Sequence, residues 1–409
     1  MGTPGLVRSG AAGQNVAQAG GRPVRNIRVP IRRNSRALVL GLSVAAASAA
    51  VAGFAGLSAA PSSADVAPAA TRSVLGAGAQ GRTIYVSTKG NDGVTRLAAA
   101  ENPLASITKA IKLAQPGDTI VVRGGTYVGA AGYGASPGLA GAPIRLQNAP
   151  GERVVLKGTL QLENADYWRV SGINVTRNPA DGRKEFLVKF DGGTGWSFVD
   201  SEVWGSVGVS NLMVSSSEKN GVPKNYRIAG NCIHDNNSTG GAFMNFHDIY
   251  LMPGYTSGPG LIERNVMYNA ENGAAIKAAG PSAATGAADV TIRRNTIARS
   301  AAGVIIGYAS RRVEVRNNLI AQQVMKPPAG SQYVQNYNAA VIGNHVSGSG
   351  NKVVSTALSG FPKLINNTRD SSSPVKGALT KKITPAYNRT ISCAGYKISG
   401  MAAKYGRFS

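Results

Sequence analysis

Side chains suited to proton transfer are concentrated in one short stretch, NFHDIYLMPG (245–254). It holds His247, Asp248 and Tyr250, and His247 is one of only 3 histidines in a chain of 409 residues. An imidazole titrates near neutral pH, a carboxylate accepts protons and a phenol donates one, so the three together suit general acid–base catalysis. Because the stretch alternates in polarity, it also predicts a β-strand.

A repeat surrounds this stretch and must position it. The eight-residue pattern apolar-x-apolar-x-x-Asn-x-apolar occurs as YRIAGNCI (226–233), VTIRRNTI (290–297) and VEVRNNLI (313–320), and in a slightly altered form as LIERNVM (261–267). Two earlier copies, WRVSGINV (168–175) and WSFVDSEV (196–203), have Ile173 and Ser201 at the Asn position. A second short apolar segment lies between successive copies. One unit cannot bury its own apolar face, so the units must stack as coils of a parallel solenoid. The asparagines fall at bends, where their amides bond the backbone and one another; a β-sandwich would need more hairpin turns.

Strand alternation sets the expected direction of each side chain in the histidine stretch. Ile249 and Leu251 are expected to face the solenoid interior. Asp248 and Tyr250 then face outward, and His247 lies at the entrance of the strand.

The next coil adds a lysine to this outward group. In AAIK (274–277) Ile276 takes the inward position, so Lys277 is expected to face outward, one coil above Tyr250. A lysine whose pKa is lowered by neighbouring positive charge, as expected for Lys277, acts as a base. The following coil is expected to present Gly307, which leaves room for a ligand. Ordinary exposed strand residues are the alternative interpretation, because outward positions are polar in any solenoid.

A column of charged residues is expected on the face of the first strands. Glu263, Arg293 and Arg316 occupy one register on successive coils, and Arg264 and Arg294 follow one residue along. Guanidinium groups bind carboxylates, so a column of them beside the lysine and tyrosine predicts a groove for an anionic sugar chain. A cross-coil ion pair between Glu263 and Arg293 is the structural alternative.

The segment at 83–127 precedes the repeats. Within it, Ser106 to Ala114 predicts an amphipathic helix that covers the open end of the solenoid. The motifs IYVS, GND, NPLASITKAI and PGDTIVVRGGTY, with the coils that follow, resemble bacterial right-handed parallel β-helix proteins of the pectate-lyase-like superfamily. The resemblance covers about residues 82–345. It implies an all-β fold, a right-handed parallel β-helix with an N-terminal capping helix, in a superfamily of lyases, epimerases, hydrolases and non-catalytic surface proteins.

The resemblance and these residues together favour β-elimination on a uronic-acid polysaccharide. The sugar carboxylate must be neutralised by Arg293, Arg294 or a bound Ca²⁺. Lys277 and His247 are the candidates for the base that removes the C5 proton. Tyr250 or His247 would protonate the leaving oxygen. Lyases of this fold commonly use a Lys or Arg base, often with calcium.

Other activities of the fold remain open. C5-epimerases carry an Asp-Pro-His-Asp motif, and Asn245-Phe246-His247-Asp248 matches its His-Asp half. A glycosidase needs paired carboxylates, for which Asp248 with Asp235 or Glu271 is the candidate. A non-catalytic polysaccharide-binding surface protein is the alternative to an enzyme. The carboxylates on successive coils that are candidates for calcium are Asp191, Asp200, Glu202, Asp235 and Asp248.

Two further features have structural interpretations. His234-Asp235-Asn236-Asn237 predicts a polar turn. Cys232 and Cys393 are the only cysteines, and in an exported protein they either pair, pinning the C-terminal tail to the body, or remain separate thiols.

The first 64 residues have the order of an export signal: seven arginines, no acidic residue, an apolar stretch of 24 residues at 37–60, and small residues suited to cleavage. This predicts a secreted or cell-surface protein of bacterial-type export, with an uncleaved membrane anchor as the alternative. The expected segments are a signal at 1–64, a linker at 65–81, the capped β-helix at 82–345, and a tail at 346–409 that packs on its C-terminal end.

The charge of the exported part favours an anionic partner. Without the seven N-terminal arginines the chain keeps 37 basic against 20 acidic residues. A field of that sign attracts acidic polysaccharide, which is the expected partner. We expect a monomer that binds no nucleic acid and meets a membrane only through an uncleaved N-terminal segment.

Overall fold

The computed structural model describes residues 81–182, 184–236, 246–254, 256–270, 272–279, 286–298, 300–307 and 310–321, and the strands at 340–342, 345–347, 363–365 and 368–370. Within these ranges the chain is almost entirely β-strand, and the strands of each ladder pair in parallel. They wind around a common axis as a parallel β-helix, which confirms the predicted fold class. Each complete coil contributes one strand to each of three faces, which we name sheets 1, 2 and 3.

Sheet 1 is an 11-stranded ladder. Its strands are β1 (Thr83–Val86), β2 (Thr119–Val122), β4 (Ile144–Asn148), β6 (Trp168–Ser171), β9 (Ser197–Val199), β12 (Tyr226–Ala229), β15 (Gly260–Glu263), β18 (Val290–Arg293), β21 (Glu314–Arg316), β23 (Ala340–Ile342) and β25 (Lys363–Ile365).

Sheets 2 and 3 are the two arms of one 15-stranded network, joined at the long strand β5 (Val154–Glu163), with β3 (Gly125–Ala131) paired beside it. The sheet 2 arm comprises β7 (Ile173–Thr176), β10 (Glu202–Trp204), β13 (Cys232–His234), β16 (Val266–Tyr268), β19 (Thr296–Ala298), β22 (Leu319–Ala321), β24 (His345–Ser347) and β26 (Thr368–Asp370). The sheet 3 arm comprises β8 (Phe186–Asp191), β11 (Ser210–Ser215), β14 (His247–Met252), β17 (Ala274–Ala278) and β20 (Ala302–Ile306).

Rows of apolar side chains fill the interior, as the repeat predicts. In sheet 1 one row runs Ile228, Ile262, Ile292 and Val315, each paired in register with the next and buried. Trp168 and Trp196 begin or immediately precede sheet 1 strands and are also buried. β-Branched side chains suit a strand that is buried on its inner face, and their burial stabilises the stack of coils by about 25 cal/mol per Å² of apolar surface.

The repeat asparagines form a ladder at the turn between sheets 1 and 2. The Nδ2 of Asn231 donates to Oδ1 of Asn265, and Asn265 donates to Asn295 in the same way, both at 3.0 Å. Each Oδ1 also accepts a backbone N–H from the neighbouring coil, as Asn265 does from Asn231 at 3.0 Å. The residue before each asparagine adopts a left-handed conformation, as at Arg264 (φ 53). The predicted structural role of these asparagines is therefore confirmed.

One α-helix, α1 (Ile107–Leu113), lies at the predicted position. Ser106 caps it by accepting the N–H of Lys109 at 3.1 Å, and Asp92 holds Ser106 through a hydrogen bond of 2.6 Å from the Ser106 hydroxyl. The apolar face of α1 is buried against β1, β2 and β3. The other helices described are 3₁₀ turns at Ala98–Ala100 and Pro179–Asp181.

The ladders extend past the predicted end of the β-helix at residue 345. Strands β24 and β26 pair in sheet 2, and β23 and β25 pair in sheet 1, so these two ladders continue to Asp370 and Ile365 respectively. These strands have three residues each, too few for their periodicity to stand out in a polar tail.

Several expectations concern residues outside the described ranges, among them the export signal at 1–64, most of the linker at 65–81, and Cys393. Cys232 is buried and disulfide-bonded, and its pairing with Cys393 stays a prediction. No helix in the described part has the length and apolarity needed to cross a membrane.

Candidate functional site

The outer face of sheet 3 carries the candidate catalytic residues. Tyr250 in β14 pairs in register with Lys277 in β17. The Lys277 Nζ lies 5.0 Å from the centroid of the Tyr250 ring, a cation–π distance. This confirms the predicted position of Lys277 above Tyr250.

Burial changes the chemistry of both side chains. Tyr250 is 7% exposed, and Lys277 is partly buried. Burial lowers the pKa of Lys277, because a less polar environment disfavours the ammonium form. A lysine with a lowered pKa is neutral for a larger fraction of the time, and only the neutral amine accepts a proton.

His247 belongs to the same outward group but is completely buried. Its ring centroid lies 5.3 Å from that of Tyr250. The Nδ1 of His247 accepts the backbone N–H of Ala274 at 3.0 Å. Because that nitrogen uses its lone pair on the backbone, the ring proton of a neutral His247 is on Nε2. The imidazole therefore links β14 to β17 through this hydrogen bond.

Asp248 faces the interior of the β-helix, so the prediction that it faces outward is wrong. Its Oδ1 accepts a hydrogen bond from Asn211 Nδ2 at 3.0 Å, and its Oδ2 is buried without a hydrogen-bond partner in the described part of the chain. The neighbouring positions in this row, Leu187 and Ala275, belong to the hydrophobic core. Asp248 and Ile249 both point inward because the regular alternation of the strand is interrupted at its start. Burial raises the pKa of Asp248 well above its ordinary value.

The coil above Lys277 differs from expectation as well. Lys277 pairs with Ile305, which is 3% exposed and packs with Ala274 and Ala302. The expected space at Gly307 is therefore not in line with Lys277. The register places an apolar wall on this side of the pair.

The predicted arginine column exists, but it lies on sheet 1. Glu263, Arg293 and Arg316 pair in one register, as expected. Glu263 accepts hydrogen bonds from Arg293 at 2.8 Å and from Arg227 at 2.9 Å, so the predicted cross-coil ion pair is also present. The outer faces of sheets 1 and 3 are different sides of the β-helix. The arginines and Lys277 therefore do not form the single groove that the sequence predicts.

The remaining predicted binding residues lie near this column. Arg264 and Arg294 occupy the left-handed turns that follow β15 and β18, both with φ 53. Arg316 lies 3.4 Å from Glu314 of its own strand.

A cluster around His234 on sheet 2 was not predicted. The sequence predicts a turn at this residue, but His234 is the last residue of β13. Its Nε2 lies 3.0 Å from Glu202 Oε1 and its Nδ1 lies 2.8 Å from Asp235 Oδ2. The ring stacks on Tyr268 at 4.6 Å and on Trp204 at 6.2 Å.

The two carboxylates keep His234 charged. Burial alone would lower its pKa, but the hydrogen bonds and charges of Asp235 and Glu202 outweigh burial and raise the pKa of His234 to about 9. Glu202 is also bound by Arg153 at 2.5 Å. The sequence contained a signal for this cluster. Each of Trp204, His234 and Tyr268 lies three residues after the sixth position of a repeat copy.

Four of the five carboxylates that are candidates for calcium, namely Asp191, Glu202, Asp235 and Asp248, contact other side chains. Asp191 accepts from Ser215, Ser217 and Asn220 at 2.6 to 2.9 Å, which also overcomes the effect of burial and lowers its pKa. Glu202 and Asp235 hold His234, and Asp248 is inside the β-helix.

Neither a second possible metal cluster nor the predicted glycosidase pair has support. The ligand atoms of Glu202, Cys232 and His234 lie within 4.8 Å of one another, but a disulfide sulfur and a protonated imidazole are not metal ligands. The predicted glycosidase pair fails for Asp248 with Asp235, because the first is interior and the second is held by His234. Glu271 lies outside the described residues.

Three solved polysaccharide lyases are similar in structure to this chain. A rhamnogalacturonan lyase superposes over 80% of this chain and 100% of its own, with a TM-score of 0.51 and 13% identity. The pectate lyase Pel9A covers 80% and 96%, with a TM-score of 0.47 and 14% identity. An alginate lyase from Paenibacillus sp. str. FPU-7 covers 71% and 99%, with a TM-score of 0.38 and 16% identity. The chain shares the parallel β-helix fold of the rhamnogalacturonan lyase.

At these identities the likeness concerns the fold alone. No protein-family model matches the sequence, and no curated protein matches it. Any assignment of activity therefore depends on the residues of this chain.

Proposed function

We propose that the protein is an exported lyase that cleaves a uronic-acid polysaccharide by β-elimination on the outer face of sheet 3. The observation that carries this proposal is the Lys277–Tyr250 pair, with the amine 5.0 Å from the phenol ring. A base with a lowered pKa and a phenolic group lie in register on adjacent coils, a spacing that suits action on one sugar unit.

The two side chains divide the reaction between them. Neutral Lys277 takes the C5 proton of the uronate, the freed electron pair forms the C4–C5 double bond, and the C4–O bond breaks. The Tyr250 hydroxyl gives its proton to the departing oxygen. Transfer of a proton from the lysine ammonium to the tyrosine phenolate then restores both groups.

A third residue on the same outward row suits binding of the polymer. Lys189, Met213, Tyr250 and Lys277 follow one another in register through β8, β11, β14 and β17. At about 4.8 Å per coil, Lys189 lies about 14 Å from Lys277 along the axis. Its ammonium would hold a carboxylate on a neighbouring sugar unit rather than on the reacting one.

The setting of this activity is part of the proposal. The basic and apolar order of residues 1–60 supports export to the cell surface or the medium. The excess of basic residues supports an acidic polysaccharide as the partner, with no nucleic acid, and with a membrane only through an uncleaved N-terminal segment. We propose a monomer, in line with the sequence expectation.

The test is an absorbance assay on a panel of uronic-acid polymers, with and without Ca²⁺ because the sugar carboxylate must be neutralised. β-Elimination creates an unsaturated uronate that absorbs in the ultraviolet. We expect the absorbance to rise with the wild-type protein and not with Lys277→Ala. A hydrolase would release reducing ends without this absorbance, and that result would contradict the proposal.

A second candidate function is binding of the polysaccharide without cleavage. The low exposure of Tyr250, 7%, favours it, because a phenol that acts as an acid must reach the leaving oxygen. Retained binding with no product on any polymer of the panel would support this second function.

A further inference from the structure

We propose that the outer face of sheet 1 is a second binding surface for acidic polysaccharide, separate from the lysine–tyrosine site on sheet 3. The class of polymer rests on the proposed function. The surface itself follows from how this sheet arranges its charges.

Arginines outnumber carboxylates on this face. The arginines on its outward rows and at the turns that follow are Arg145, Arg169, Arg227, Arg264, Arg293, Arg294 and Arg316. The carboxylates at equivalent places are Asp200, Glu263 and Glu314. Because sheet 1 is a parallel ladder, these charges repeat along the axis at about 4.8 Å per coil.

Glu263 fixes two of the arginines in place. It is 6% exposed and accepts from Arg227 on one side and from Arg293 on the other. Burial raises the pKa of Glu263, but the bonds from the two arginines outweigh it and the pKa lies below its ordinary value. The side chains of Arg227 and Arg293 remain 49% and 35% exposed. One carboxylate thus orients two guanidinium groups toward solvent and neutralises only one of their charges.

Arg145 and Arg169 lie on adjacent strands with like charges side by side. Burial and the charge of Arg145 lower the pKa of Arg169. Arg169 donates to the carbonyl groups of Trp168 and Gly195, and neither arginine has an ion-pair carboxylate among the described residues. Two like charges repel, and a bound anion relieves that repulsion.

A surface cavity of about 300 Å³ lies between Arg227 and Arg264, with Asp200 and Gly230 also in its wall. Arg264 is exposed and, like Arg294, has no ion-pair carboxylate in the described part of the chain. Gly230 permits this shape, because a Cβ there would lie 2.5 Å from Asp200 Oδ1. The cavity accepts a carboxylate group beside guanidinium donors.

The arrangement suits a polymer better than a single small anion. Charges that repeat over several coils meet an extended chain bearing a charge on each sugar unit, whereas one small anion would engage one or two of them. Single-stranded nucleic acid binds through aromatic side chains on which bases stack. The outward rows between Arg145 and Arg316 contain no aromatic residue.

Binding of a polyuronate to the Lys277→Arg protein tests this surface with turnover lowered at least about 10²-fold. In that background, Arg264→Gln/Arg294→Gln is compared with Lys112→Gln/Lys157→Gln, which removes the same charge from exposed positions off sheet 1. We expect the arginine pair to weaken binding about tenfold at low salt, as for two exposed ion pairs, and the lysine pair to change it little. The slope of log affinity against log salt should fall by about two for the arginine pair.

Three outcomes would overturn the inference: equal losses in both double variants, no loss in either, or tighter binding of a single-stranded oligonucleotide than of the polyuronate at the same salt. Arg145→Gln/Arg169→Gln tests the other end of the face and should also weaken binding. Failure here is distinct from failure of the lyase proposal, which shows as absence of an unsaturated product from the wild-type protein.

Discussion

Lys277 and Tyr250 lie on adjacent coils in direct register, with the lysine Nζ 5.0 Å from the tyrosine ring centroid. The Tyr250 ring packs against the Lys277 amine. Removing the ring would change the position and pKa of the amine, whereas removing only the hydroxyl leaves this contact intact. This distinction allows the two proposed roles to be tested separately.

Tyr250→Phe should keep the ring beneath Lys277 and remove the proposed acid. We expect kcat on a uronic-acid polymer to fall by about 10²- to 10⁴-fold, the usual contribution of general acid catalysis, with little change in KM. Tyr85→Phe, on the first strand of sheet 1, removes a hydroxyl far from the site and serves as the control. A wild-type kcat for Tyr250→Phe would assign the acid to another group.

Asp248→Asn should stabilise the protein near neutral pH and leave its activity intact. The pKa of the buried Asp248 is raised, so the native state binds its proton more tightly than the unfolded chain does. The contribution of Asp248 to the free energy of unfolding is therefore constant below its unfolded pKa of about 3.9. The free energy of unfolding falls as the pH rises from there toward the native pKa. Denaturant unfolding between pH 4 and 8 should show this decline in the wild type and a smaller one in Asp248→Asn. Lost turnover in a folded Asp248→Asn protein would instead restore Asp248 as a catalytic residue.

His234 should make the protein less stable as the pH rises into the alkaline range. Its pKa is raised from 6.5 to about 9 by Asp235 and Glu202 despite its burial. The stabilisation is therefore fully present below pH 6.5 and is lost as the pH rises through about 9. We expect the Tm of the wild type to fall between pH 6 and 10, and that of His234→Asn to be lower at pH 6 and to fall less. Parallel pH profiles for the two proteins would contradict the ion-pair interpretation.

Asn265→Ala should destabilise the stack of coils strongly. Asn265 is completely buried, and its amide exchanges hydrogen bonds with Asn231, Asn295 and the carbonyl of Ile228. Truncation leaves these buried partners unsatisfied, at a cost of about 2–4 kcal/mol in the free energy of unfolding. Asn102→Ala, at an exposed position, should cost less than about 0.5 kcal/mol. Equal unfolding midpoints for the two variants would show that the ladder contributes little.

The repeat predicted the fold because stacking leaves a period in the sequence. Most coils repeat the inward Ile or Val and the ladder Asn, so both the solenoid and the structural role of Asn231 and Asn265 could be inferred. The register of Tyr250 and Lys277 followed from aligning two similar strands. Contacts between neighbouring coils are thus accessible to sequence reasoning.

Two properties of the site could not be predicted in this way. Alternation failed at Asp248, because two consecutive residues face inward where β14 begins, as at Leu187 and Val188 in β8. The arginines were assigned to the groove of Lys277 because the eight-residue repeat does not show that it spans two strands with a left-handed turn between them. The turn at residues such as Arg264 leads from sheet 1 into sheet 2, so the strand of Lys277 belongs to a third sheet and not to the face of the arginines.

The most direct test of the central claim is the rate of unsaturated product formed by Lys277→Arg. Arginine keeps the positive charge and much of the length of lysine, but it does not lose its proton in proteins and cannot act as the base. We predict a clear ultraviolet signal from the wild type on at least one uronic-acid polymer, and a rate at least about 10²-fold lower from Lys277→Arg. Polymer binding and Tm should remain near the wild-type values. A Lys277→Arg protein that forms the unsaturated product at the wild-type rate would contradict the assignment of Lys277 as the base.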